Sequence, residues 1–279
     1  MNFSFEFFPP KSDQAEANLW ASIKDLAPLA PRFVSVTYGA GGTTRTRTHD
    51  CVRRIVEDTQ LKPAAHLTCV SADRHEVDAV IEDYKRAGVR HIVALRGDMP
   101  DFAPYQPNPN GYQSTVELVK AISDRGGFEV SVSAYPEGHP ESPGLAHDID
   151  LLKAKQDAGA TRAITQFAFD TSAYIRFRDA MAKENLSIEL CPAIMPTTNF
   201  VGAARMAEKC GTAVPDALRS RFEGLEDDLD ARRDVGEAFA LEQCEILRSE
   251  GFDHIHFYTL NQAGLTRHVC RSLQKEGTR

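Results

Sequence analysis

A short apolar run followed by a segment with apolar residues every three or four positions recurs eight times along this chain. The runs fall at residues 3–8, 33–38, 64–70, 91–95, 130–135, 163–167, 188–194 and 254–260. Runs such as Ile92-Val93-Ala94-Leu95 do not alternate with polar residues, which marks strands covered on both faces, as in parallel sheets of α/β proteins. The segments between them carry helical patterns, among them Leu19, Ile23 and Leu26, then Val77, Val80, Ile81 and Tyr84. Strands and helices in this alternation require parallel βαβ units, and eight such units close a (βα)8 TIM barrel. The chain, 279 residues long, holds one such barrel, so residues 1–279 are read as a single α/β domain with its site at the C-terminal mouth. The competing architecture is an open doubly wound sheet. Against it, no G-x-G-x-x-G follows the first strand, and the cluster Gly39-Ala40-Gly41-Gly42 has Thr44 where the last glycine is needed.

Punctuation within this frame is local. Pro9 and Pro10 stop the first strand, and Asp13 is placed to cap the first helix. Further helices are expected at about residues 115–123, 145–158, 174–183, 200–209 and 265–273, with two insertions near 215–218 and 227–248 before the last strand.

The charge balance excludes some partners. Lys and Arg number 32 against 40 Asp and Glu, a net charge of −8, which points away from nucleic acid and from anionic membranes. No signal peptide and no membrane-spanning run is present, so a cytoplasmic location is expected. The 6 cysteines contain no C-x-x-C pair, so neither a disulfide framework nor a zinc cluster is indicated, and no metal site is assigned.

If the eight runs are barrel strands, their C-terminal ends deliver Glu6, Thr37, His66 with Thr68, Arg96 with Asp98, Tyr135, Gln166, and Tyr258 with Asn261 to one rim. Together these read as a polar site at the barrel mouth. Alternation along F-S-F-E-F-F sends Phe3, Phe5 and Phe7 to the helix side and Ser4 and Glu6 inward. A carboxyl inside a barrel must be paired or protonated, and desolvation beside Phe8 would raise its pKa, as a general acid needs. The alternative is a salt bridge from Glu6 to Arg96. Arg96 and Asp98 share a strand parity, with Gly97 between them open to close approach. His254 and His256 share a face of the last strand, where packing is the simpler reading than metal ligation. Tyr135 to Glu141 forms a rigid polar loop, and Lys155 in the next helix can reach phosphate oxygens.

Seven blocks, S-F-E-F-F-P-P-K, F-V-S-V-T-Y-G-A, H-L-T-C, H-I-V-A-L-R-G-D, A-Y-P-E-G-H-P-E, R-A-I-T-Q-F-A-F-D and H-F-Y-T-L-N, resemble, in this order, bacterial methylenetetrahydrofolate reductases. The resemblance implies a flavoprotein barrel that reduces 5,10-methylenetetrahydrofolate to 5-methyltetrahydrofolate with FAD, reduced in turn by NADH or NADPH. By that resemblance Glu6 is the general acid that protonates N10 and opens the ring to an iminium cation, to which reduced flavin delivers hydride. Asp98 is placed to stabilise the cation. Thr37, Tyr38, Ala40, His66, Arg96, Gly97, Asp98, Tyr135, His139, Asp148 and Lys155 match the flavin-contacting set, with Arg96, His139 and Lys155 at the ribityl and diphosphate. Glu6, Thr37, Gln166, Tyr258 and Gln262 match folate-contacting positions. A homo-oligomer is expected.

Three positions depart from the family pattern. Gln262 stands where the family often has Arg, and Gly202 and Met206 stand where it usually has Gln and Phe. The departures at Gly202 and Met206 leave open a flavin barrel reduced by a partner protein; a separate alternative is a pterin-binding one-carbon transferase without redox chemistry.

Overall fold

In the computed structural model, which describes residues 1–38, 45–99 and 105–276, strands and helices alternate around one parallel barrel. The strands are β1 Asn2–Phe7, β2 Val34–Val36, β3 Pro63–Thr68, β4 His91–Leu95, β5 Glu129–Ala134, β6 Arg162–Thr165, β7 Glu189–Cys191, β8 Ala193–Ile194 and β9 His254–Tyr258. The helices are α1 Asp13–Leu26, α2 Arg45–Asp58, α3 Arg74–Arg86, α4 Thr115–Arg125, α5 Leu145–Asp157, α6 Thr171–Lys183, α7 Phe200–Cys210, α8 Asp216–Phe222, α9 Leu229–Ser249 and α10 Ala263–Glu276. All pairings are parallel, in the order β7-β6-β5-β4-β3-β2-β1-β9-β8. The expected doubly wound alternative is thereby set aside, and the two inserted helices are α8 and α9.

Nine strands replace the expected eight because Pro192 divides the seventh. Proline has no N–H to donate and a fixed φ, so the ladder cannot run through it. β7 pairs with β6 and β8 pairs with β9, so the two halves of this one strand close the ring. Across the gap the Ala193 N–H donates to the Thr165 hydroxyl at 2.9 Å.

The cap of α1 also differs from expectation. Ser12, not Asp13, is the N-cap, and its hydroxyl accepts from the Ala15 N–H at 3.2 Å. Asp13 occupies the first helical turn, where its charge favours the positive end of the helix dipole.

Alternation sorts the two faces of β1 as expected. Phe3, Phe5 and Phe7 are buried in the helix layer with Leu19 and Ile23 of α1. Each phenyl ring so enclosed contributes about 3–5 kcal/mol relative to alanine. Ser4 and Glu6 point into the barrel, and both are buried.

The barrel interior is polar. Branched aliphatic side chains usually fill such barrels, but here Ser4, Ser35, His66, His91, Ser131, Arg162, His254 and His256 are all buried. Phe33 sits among three of the imidazoles, 4.6 Å from His91 and 5.7 Å from His254 and His256 between ring centroids. The Arg162 guanidinium lies 5.1 Å from the same ring and is neutralised by Glu129 at 2.5 Å and Glu189 at 2.9 Å. Among the described residues no helix is long and apolar enough to cross a membrane.

Candidate active site

The C-terminal ends of the strands surround an open cavity of about 1050 Å³. Glu6, Thr37, Tyr38, His66, Gln166 and Tyr258 line it, and Phe167, Met195, Met206 and Leu260 supply an apolar wall. A smaller recess of about 230 Å³ opens between the ends of β4 and β5 and the helix α5. Arg96, Gly97, His139, Asp148 and Lys155 line this recess, while Asp98 and Tyr135 line both spaces and form their common wall.

The mouth and the recess therefore gather every sequence-expected site residue except Ala40, Gln262 and Thr68. Ala40 lies outside the described residues. Gln262 is exposed and lines neither cavity. The cause is Asn261, which adopts a left-handed φ of 57° and spends its amide on the exit of β1, accepting from the Phe8 N–H at 2.9 Å and donating to the Phe8 carbonyl at 3.0 Å. The chain turns there and carries Gln262 outward. Thr68, also expected at the rim, is buried instead against Gly97.

Gly97 admits no ligand from that side. Its φ is +83°, and a Cβ there would lie 2.5 Å from Val70 Cγ1 and 2.8 Å from Thr68 Cβ. The close approach foreseen in the sequence is thus made by the neighbouring chain exit. β4 ends at Leu95, before Arg96 and Asp98, and both residues line the recess. Arg96 pairs with Glu141 at 2.6 Å and lies over the Tyr105 ring at 4.7 Å, so the anticipated bridge to Glu6 does not form.

Glu6 has other partners. Its Oε2 lies 3.4 Å from Ser35 Oγ, 3.4 Å from His66 Nε2 and 3.6 Å from His256 Nε2. These are long contacts around one oxygen, and neither Nε2 has a closer hydrogen-bond partner. Burial raises the carboxyl pKa, but His256 and His66 outweigh it and hold Glu6 near 2. The expected upward shift is overturned: in this open site Glu6 is a carboxylate at neutral pH. Burial lowers the pKa of His256, against the attraction of Glu6.

The recess brings together charges of both signs, Arg96 and Lys155 with Asp98, Glu141 and Asp148. Lys155 is buried, its ammonium donating to the Ser133 carbonyl at 3.1 Å, and burial pushes its pKa down to about 8 despite Asp148. Asp148 Oδ2 is buried without a hydrogen-bond partner. Tyr135 packs edge-on to His139, with centroids 4.6 Å apart, and burial, reinforced by Asp98, raises its hydroxyl pKa to about 12. Of the other rim groups, the Tyr258 hydroxyl donates to the Thr165 carbonyl at 3.1 Å and Gln166 Oε1 accepts from the Phe167 N–H at 3.0 Å.

Comparison with known proteins places the whole chain in a family. The methylenetetrahydrofolate reductase family model matches residues 1–274. The chain belongs to the methylenetetrahydrofolate reductase family. It is 44% identical to the 5,10-methylenetetrahydrofolate reductase of Escherichia coli K12 over 274 residues, covering 98% of this chain and 90% of that protein. It is 34% identical over 271 residues to methylenetetrahydrofolate reductase (NADH) 1 of Arabidopsis thaliana, covering 93% of this chain and 46% of the plant protein. Among solved structures, a Clostridium thermocellum protein that binds two copies of 5-methyl-5,6,7,8-tetrahydrofolic acid has a TM-score of 0.63 at 12% identity, covering 99% of this chain and 96% of that one. Dihydropteroate synthase from Stenotrophomonas maltophilia has a TM-score of 0.55 at 11% identity, covering 99% of this chain and 92% of that one. These two likenesses concern the fold.

Two residues beside the expected site side chains carry no role in the sequence pattern. His256, for which packing is the simpler sequence reading, shares the inward face of β9 with Tyr258, and the register pairs it with Ser4, two positions before Glu6. Glu141, the partner of Arg96, lay in the quoted A-Y-P-E-G-H-P-E block without a role. The departure at Gly202 has a local cause: it sits in the first turn of α7, its N–H donates to the N-cap Asn199 at 3.0 Å, and a Cβ would lie 2.6 Å from Asn199 Nδ2. Met206 does line the mouth.

Proposed function

We propose that this protein reduces 5,10-methylenetetrahydrofolate to 5-methyltetrahydrofolate with bound FAD and with NADH or NADPH as electron donor. The observation that carries the reading is a buried carboxyl, Glu6, at the base of a wide mouth whose wall is shared with a recess that holds the buried Lys155 ammonium. Enclosure of this kind, with a few convergent polar groups, suits a ligand with a planar head and a charged tail.

The residues fit FAD. The buried Lys155 ammonium and the His139 ring face a space able to take a diphosphate, and Arg96 joins them if it exchanges Glu141 for phosphate. Asp148 Oδ2, buried and unpaired, suits a ribityl hydroxyl as its donor. When bound, FAD supplies the hydride chemistry that no side chain can. Gly97 and Tyr135 shape the passage between mouth and recess, and Tyr38 and His66 border the mouth beside Thr37. Thr37, Gln166 and Tyr258 line the space that nicotinamide and pterin would occupy in turn. Asp98, at the common wall, stabilises positive charge developing on the folate.

Glu6 transfers its proton to N10 of the folate. The open site holds it ionised, so it must gain a proton as the folate covers the mouth and excludes water, which favours the neutral form. Met206, where the family usually has Phe, favours a second reading in which electrons come from a partner protein, because it alters the wall that a nicotinamide would meet.

The test is anaerobic mixing of the purified protein with NADH, NADPH and 5-methyltetrahydrofolate while the visible flavin band is followed. Bleaching by a nicotinamide and by the methylfolate is expected. Bleaching by the methylfolate alone would transfer the donor role to a partner protein, and a protein that cannot take up FAD would overturn the reductase reading. Glu6→Gln is expected to keep flavin reduction and lose folate reduction.

A further inference from the structure

Glu6 stands just beyond hydrogen-bond reach of one end of a chain of hydrogen-bonding groups that runs down the barrel axis. His256 Nε2 faces its carboxylate at 3.6 Å, and His256 Nδ1 lies 2.7 Å from Ser4 Oγ. The same hydroxyl lies 2.9 Å from His254 Nε2, and His254 Nδ1 lies 3.0 Å from Glu189 Oε1. Ser4 and the two histidine rings are sealed from solvent, with relative exposures of 0%, 0% and 1%, whereas the Glu189 side chain is 29% exposed at the N-terminal floor.

Ser4 makes the chain directional. A serine hydroxyl has one hydrogen, so it donates to one ring and accepts from the other. When Glu6 is ionised, His256 offers Nε2–H to it. Nδ1 of that ring then accepts from Ser4, and Ser4 accepts from His254 Nε2–H. When Glu6 is protonated, every one of these bonds reverses. The protonation of Glu6 and the state of His254 are therefore linked through one hydroxyl.

We propose that His256, Ser4 and His254 form a proton relay that supplies Glu6 from the barrel floor at Glu189, on the side opposite the substrate. The proposal rests on the reading of Glu6 as general acid. The transfer balances without electron change: His256 Nε2–H passes to Glu6 Oε2, the Ser4 hydroxyl proton to His256 Nδ1, and His254 Nε2–H to Ser4 Oγ. The imidazolium at His254 becomes neutral and the carboxylate at Glu6 becomes an acid. After Glu6 has given its proton to the folate, uptake of one proton from water at the Glu189 end, with the hydroxyl and ring tautomers turned back, restores the start. The route is open when the mouth is covered, which is when the acid is needed.

The surroundings suit a ring that gives up a proton readily. Burial lowers the pKa of His254, Glu189 raises it, and Arg162 and Arg32 lower it further. Arg32 holds Glu189 at 2.6 Å and Arg162 holds its other oxygen at 2.9 Å, so this carboxylate stays in place as the port. His256 is faced by Phe33, Tyr258 and Glu6. His91 is outside the relay, bonded to Ser131 at 2.7 Å.

The test combines kinetics with side-chain ¹⁵N NMR of histidine on the full-length flavin-loaded protein. Ser4→Ala should slow the folate half-reaction by about tenfold, with the loss confined to that half-reaction, and Ser4→Thr, which keeps the hydroxyl, should restore most of it. In the spectra, Glu6→Gln, which presents N–H donors where the carboxylate presented lone pairs, should switch the tautomers of both His256 and His254. In a Ser4→Ala background only His256 should respond. A Ser4→Ala protein with wild-type folate kinetics, or a His254 tautomer indifferent to Glu6→Gln when Ser4 is present, would overturn the relay. If Ser4→Ala does not fold, the Glu6→Gln spectra decide alone. Retained folate turnover in Glu6→Gln would instead overturn the general-acid reading.

Discussion

Glu6→Gln should expose the sign of the electrostatics around the acid through stability alone, before any ligand is added. With its pKa held near 2 against an ordinary 4.5, the carboxylate is favoured in the folded state. That contribution is complete above pH 4.5 and is lost as the pH falls toward 2. A difference of about 2.5 units at 1.36 kcal/mol each is roughly 3 kcal/mol, of which about 2 kcal/mol disappears between pH 7 and pH 3. The glutamine cannot titrate, so the wild-type Tm minus the variant Tm should shrink by roughly 4–8 °C over that interval. Circular dichroism melts of both proteins across the pH range measure it. A difference that stays flat, or that grows on acidification, would mean that burial wins over His66 and His256 and would refute the assignment.

Other perturbations test separate parts of the site. Gly97→Ala forces a Cβ against Val70 and Thr68 at a φ of +83°, and a loss of about 2–4 kcal/mol is expected in urea unfolding. Asn261→Ala removes both bonds to Phe8 and puts alanine in a left-handed conformation, for a loss of about 2–4 kcal/mol read from thermal melts. The Lys155 ammonium is lost as pH rises through about 8, so FAD affinity, measured by fluorescence quenching, should weaken about tenfold between pH 7 and pH 9. Lys155→Met should bind weakly and without that pH dependence.

The fold was legible because the barrel imposes two periods on the chain at once. Phe3, Phe5 and Phe7 repeat at the strand period, and Leu19, Ile23 and Leu26 at the helix period, and each set is buried where its period puts it. The rim was legible for the same reason, since the ends of parallel strands share one edge of the barrel. What could not be read was pairing between distant strands. The imidazole partners of Glu6 come from β3 and β9, His256 standing 250 positions away, so burial could be inferred but not the rings that reverse its effect. Local turns were the other blind spot. The sequence keeps Gln262 with the site, although Asn261, in a left-handed conformation, turns it away.

Pro192 gives the barrel wall an uneven stiffness. Elsewhere neighbouring strands are tied rung by rung, but no backbone ladder joins β6 to β9, where the ties are the covalent chain, the bond from Ala193 to Thr165 and the Tyr258 hydroxyl on the Thr165 carbonyl. The Pro192 carbonyl still accepts from the His256 N–H at 2.8 Å, so this joint is fastened to β9 while its hold on β6 rests on side-chain hydroxyls. Met195, just past this joint, lines the mouth. The rim therefore has one yielding edge in an otherwise stiff hoop, and a bulky head group entering the mouth meets its least resistance there.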